Sequence, residues 1–118
     1  MGKSEHQKEL LAAYKERKVL GGVCCVTCTQ NQKRLILGAI ELKSQRNRFE
    51  LALATDSPML PSMGGDWQEY GGAAFTFEVL EELEKRPDQS DRDFSADVKL
   101  LAEIWREKFS EEGATFYV

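Results

Sequence analysis

The stretch from Gly21 to Arg48, GGVCCVTCTQNQKRLILGAIELKSQRNR, limits the fold more than any other part of the chain. Val19 to Thr29 is dense in Val and Cys, which suits a buried strand. Gln30 to Lys33 is a polar turn in which Asn31 tolerates a left-handed backbone. Arg34 to Ala39 then returns as the second strand of a hairpin. Gly38 stands where a side chain would obstruct the following chain or a ligand.

The remaining segments supply partners for that hairpin. Ser4 to about Lys18 is an expected helix, with a Ser4–Gln7 capping box and an apolar stripe of Leu10, Leu11 and Tyr14. Ser44 is the expected N-cap of a helix through about Ala54, carrying Phe49 and Leu53 four apart. Pro61 opens another helix with Met63, Trp67 and Tyr70 at helical spacing, weakened by Gly64-Gly65 and ended by Gly71-Gly72. Ala74 to Leu80 alternates Phe75, Phe77 and Val79 against Thr76 and Glu78, which predicts a third strand. Glu81 to Asp91 reads as a charged connection. Ser90 then caps a last helix through about Phe109, with Phe94, Val98, Leu101, Trp105 and Phe109 on its apolar face, widened by Leu100 and Ile104. Gly113 stops it, and Phe116-Tyr117-Val118 ends the chain as a docked tail or a short edge strand. The class is α+β, a small three-stranded antiparallel sheet flanked by helices. Residues 1–20 are expected as an N-terminal helix that packs on or extends the domain formed by residues 21–118.

At 118 residues the chain is one domain with enough length for a core. No apolar run reaches membrane-spanning length and no signal-peptide core opens the chain, so no membrane partner and a cytoplasmic address are expected. Cys24, Cys25 and Cys28 read as reduced, buried thiols rather than a disulfide framework or a zinc site. Strand geometry sets Cys24 and Cys28 on one face and Cys25 on the other. The single histidine, His6, makes a histidine-centred triad improbable, and no P-loop or dinucleotide glycine motif is present. Net charge is -4, yet Lys33, Arg34, Lys43, Arg46 and Arg48 gather in one short span against one acid, Glu41. Arg46 and Arg48 near a helix start oppose the dipole there, a pattern compatible with an anion-facing helix.

From Gly21 onward the order of elements resembles the GIY-YIG nuclease domain. Gly22-Val23-Cys24 stands at the first motif, Ile36-Leu37-Gly38 at the second, and Arg46 falls eight residues after the motif glycine, as the family's arginine does. TDSPMLPSMGGDWQEYGGAAFTFEVLEELE is similar to the family's middle region, and LLAEIWREKF to its metal-site helix. The resemblance implies a metal-dependent endonuclease with magnesium or manganese as the metal where the site is active. It also implies that Cys24 and Ile36 replace the two motif tyrosines, that Ala102 replaces the metal-binding glutamate, and that Arg46 survives as the phosphate clamp. Glu103 is the neighbouring carboxylate, turned by about 100° around the helix. Glu50 stands where the family often has histidine.

Hydrolysis of a phosphodiester needs an activated water, a charge-stabilising cation and help for the leaving oxygen. Ile36 and Ala102 supply none of these, whereas an arginine alone holds a phosphate bidentately. The leading expectation is therefore a catalytically impaired or inactive GIY-YIG-like domain that binds DNA or RNA phosphates through Lys33, Arg34, Lys43, Arg46 and Arg48. A divergent metal-dependent nuclease using Arg46 and Glu103, and a protein-interaction or structural domain, are the alternatives.

Overall fold

The central strand explains why its sequence lacks strict alternation. The computed structural model describes residues 20–117, and the expected helix from Ser4 to Lys18 lies outside them. Strand β1 (Leu20–Cys28) is buried at every position after Leu20 because both of its faces and both of its edges are covered. Strand β2 (Arg34–Ala39) and strand β3 (Phe75–Glu84) flank it in the order β2-β1-β3, all antiparallel. The hairpin and the first two strands match expectation within a residue.

β3 ends four residues later than expected. Glu81 to Glu84 read as a charged connection, but they pair with Leu20 to Val23 across a bulge at Val23/Cys24. Gly22 sits at this irregularity with φ 142°, where a Cβ would collide with the carbonyl oxygen of Glu81. The acidic run is thus strand, held by a partner some sixty positions away in sequence.

Helix α1 (Leu42–Thr55) starts at Leu42 with Glu41 as N-cap and no side-chain cap bond, so Ser44 lies inside the helix rather than capping it. Burial of Leu42 beside Cys24 and Ala39 outweighs the missing cap. Asp56 ends α1 in the left-handed region and accepts the indole N–H of Trp67 at 3.1 Å. A 3-10 turn (Pro61–Met63) leads into the short helix α2 (Gly64–Tyr70), then a second 3-10 turn (Gly72–Ala74) leads into β3. Helix α3 (Asp91–Glu111) is capped as expected, with Ser90 Oγ accepting from the Asp93 N–H at 3.1 Å.

Two cores lie on opposite faces of the sheet. On the α1 face, Val26, Cys28, Leu35, Phe49, Met63, Trp67, Phe75 and Tyr117 pack together, with Cys24, Ala39 and Leu42 adjoining. On the α3 face, Val23, Cys25 and Ile36 pack against Ala102, with Leu101, Trp105 and Phe109 partly buried around them. Leu100 and Ile104, expected to widen the buried face of α3, are instead 59 % and 43 % exposed. The tail lies along β2: the Arg34 N–H donates to Thr115 O at 2.9 Å, and the Tyr117 N–H donates to Arg34 O at 2.8 Å. No helix among the described residues is long and apolar enough to cross a membrane.

Candidate functional site

The hairpin register decides which motif residues share a surface. Cys24 stands opposite Leu37, and Cys25 stands opposite Ile36. Directly paired residues point to one face, and neighbours along a strand point to opposite faces. Cys24 therefore faces α1 and Ile36 faces α3. The two motif positions therefore do not share one surface, because the sheet lies between them.

Neither position opens to solvent. Cys24 is completely buried among Ala39, Leu42, Leu37, Phe77 and Val79. Burial, reinforced by the nearby Cys25 thiol, pushes its pKa up to about 11, so at neutral pH it is a protonated thiol and no general base. Burial also raises the Cys25 thiol, against a contact to Thr27 Oγ1 at 3.3 Å and the nearby Arg34 guanidinium, which favour the thiolate.

The metal-helix position is closed as well. Ala102 is 2 % exposed and packs on Val23, Cys25 and Ile36. Gly38 brings α3 this close: a Cβ there would lie 2.9 Å from Val98 Cγ1, 3.0 Å from Val98 O and 3.2 Å from the Ala102 Cβ. The second-motif glycine thus serves helix packing. Glu103 is exposed, one step around α3 from that contact, and turns its carboxylate away from the sheet. Among the described residues no group of three or more His, Cys, Asp and Glu side chains is placed to hold a metal ion. Ala102 has no donor and Glu103 faces elsewhere, so the residues present do not fit the magnesium or manganese that the resemblance implied.

Arg46 sits on the other side of the molecule. It is exposed on α1, and its guanidinium lies over the Phe77 ring with 5.2 Å to the centroid. Phe77 belongs to the α1 face, so the sheet separates Arg46 from Glu103. These two residues do not meet at one phosphate.

The five expected cations do not make one patch. Lys33 rests over the Tyr117 ring at 4.9 Å. Arg34 points to the α3 side, donating to Thr27 Oγ1 at 3.5 Å and stacking on Phe109 at 4.4 Å. Lys43 and Arg46 are exposed one turn apart on α1. Arg48 lies about 200° around the helix from Arg46 and donates to Gln45 Oε1 at 3.3 Å. Sequence proximity gathered what the helix and the hairpin then spread apart.

The sequence missed two features. Arg106 reaches from α3 to donate to Ile36 O at 3.0 Å, closing the outer edge of β2 beside the tail. Asp66 on α2 accepts from the Tyr117 hydroxyl at 2.6 Å and from Asn31 Nδ2 at 2.9 Å. These bonds, the tyrosine's first, lower the Asp66 pKa, while burial and the same carboxylate raise that of Tyr117. Helical and strand periodicity carry no signal for either contact, because both join segments distant in sequence.

No protein-family model and no curated protein matches the chain. Two solved structures do. The catalytic domain of the homing endonuclease I-TevI superposes with a TM-score of 0.52 at 16 % identity, covering 83 % of this chain and 98 % of that one. A point mutant of the catalytic domain of the intron endonuclease I-TevI gives a TM-score of 0.45 at 18 % identity, covering 70 % of this chain and 84 % of that one. The first of these shows the fold: a three-stranded antiparallel sheet with flanking helices, GIY-YIG-like, as the sequence resemblance implied.

Proposed function

We propose that this domain keeps the architecture of a GIY-YIG nuclease without its hydrolytic chemistry, and contacts nucleic-acid phosphates through Lys43 and Arg46 on α1. The observation that carries the reading is the dry contact of Ala102 with Val23, Cys25 and Ile36, where a hydrolytic site needs donors and water. Lys43 and Arg46 support the binding half because both stay exposed on one flank of α1. Guanidinium stacking on Phe77 leaves the nitrogen edges of Arg46 available to a phosphate.

Contacts to so few phosphates give weak binding without base preference, and each phosphate neutralised adds a slope of about -0.9 to log K against log salt for duplex DNA. The test measures binding to duplex DNA and to single-stranded RNA over a salt series, for the wild type and for Lys43→Ala with Arg46→Ala. Binding that ignores salt, or that survives the double substitution unchanged, overturns the binding half. Cleavage of plasmid with magnesium or manganese, retained in Arg46→Ala, overturns the reading that chemistry has been lost.

A further inference from the structure

The α3 side of the sheet carries a second feature, independent of the α1 flank. Glu81 and Leu83 at the end of β3, with Asp97, Leu100, Leu101 and Ile104 on α3, line an open groove of about 230 Å³. Its floor is apolar, and Leu100 and Ile104 are the largely exposed side chains along it. Its rim is acidic. Glu81 Oε1 accepts from the Trp105 indole N–H at 3.1 Å and Asp97 Oδ2 from Gln89 Nε2 at 2.6 Å. Both donors are neutral, so neither carboxylate's charge is offset by them.

The described chain begins beside this groove. Leu20 pairs with Glu84 and Gly21 pairs with Leu83, so β1 starts at the groove's end. The sequence that precedes them has the complementary pattern. At helical spacing Leu10, Leu11 and Tyr14 share one side, with Lys3, Arg17 and Lys18 beside them, while Glu5, Glu9 and Glu16 fall on the far side. An apolar stripe bordered by cations matches an apolar floor bordered by carboxylates.

We infer that the segment from Ser4 to Lys18 docks as an amphipathic helix in the groove between the end of β3 and α3, its own chain being the occupant. The tether is one residue, Val19, between Lys18 and the start of β1. Such a short link makes docking intramolecular, with an effective concentration in the millimolar range, so a separate partner of similar affinity competes poorly. Docking covers Leu100 and Ile104 and brings Arg17 or Lys18 to Glu81 and Asp97.

The experiment uses the full chain with Glu9→Cys carrying a nitroxide, attached selectively because Cys24, Cys25 and Cys28 are all buried. Methyl signals of Leu83, Leu100, Leu101 and Ile104 are expected to lose intensity, and to regain it when Leu11→Glu and Tyr14→Glu are added. Sharp signals from all four residues overturn the inference. So does loss that persists after those substitutions, or loss seen between separately labelled chains in a mixed sample, which assigns the groove to a second copy.

Discussion

The two faces of the sheet differ in what their helices leave accessible. α3 lies so close to the sheet that Gly38 of β2 and Ala102 of α3 meet without room for a larger side chain on either. α1 also covers a dry core, but its flank keeps Arg46 at the surface on the Phe77 ring. One face is closed by packing, while the other keeps a cation at the surface. The sheet, the hairpin and the glycine-enabled helix approach are held by packing alone, so the fold stands without any contribution from a reacting group.

Placing a carboxylate at position 102 is the strongest test of that contrast. Ala102→Glu forces a charge against Val23, Cys25 and Ile36, and is expected to cost roughly 3–5 kcal/mol in denaturant unfolding, without cleavage in magnesium or manganese. A stable variant that cuts plasmid would show that the α3 face is an openable site. Gly38→Ala probes the same contact more gently. Its Cβ meets Val98 and Ala102 at 2.9–3.2 Å, so a loss of about 1–3 kcal/mol is expected, and an unchanged midpoint would mean that α3 is not held by close approach.

Tyr117→Phe moves to the α1 side. It removes the hydroxyl bond to Asp66 and is expected to cost about 1 kcal/mol, read from the shift in urea midpoint. The pH dependence has a defined sign. Asp66 has a lowered pKa in the folded state, so its contribution is present above the unfolded carboxylate value and fades as pH falls through the folded value. The variant should lose part of that acid sensitivity, and a parallel pH profile would remove Asp66 from the account. Arg46→Ala is expected to change stability least, within about 0.5 kcal/mol, while lowering the salt slope of nucleic-acid binding by about 1. A large stability loss there would make the Phe77 contact structural.

How much of this could be read in advance follows from the range of each interaction. The hairpin strands and the Ser90 cap announce themselves within a few residues. The extension of β3 through Glu84 does not, because its acidic residues become strand only against Leu20 to Val23. The separation of Cys24 from Ile36 was readable. Any even-length turn pairs even-numbered residues of one strand with odd-numbered residues of the other, as in the observed Cys24–Leu37 and Cys25–Ile36 pairs, and so sends the two motif positions to opposite faces. A resemblance aligned along the chain conceals that parity. The scatter of the five cations was half legible, since helical rotation separates Arg46 from Arg48, whereas the departure of Arg34 to the α3 side required the sheet register as well.

The three thiols of β1 give the molecule its own clock. All are shielded while the sheet is closed, and none is tied in a disulfide. A chromogenic thiol reagent added to the native protein meets them only when the central strand is let go. Its rate of colour development therefore counts openings of that strand. Because Cys24 and Cys28 lie under α1 and Cys25 under α3, identifying which sulfur is modified first reveals which helix lifts away before the other.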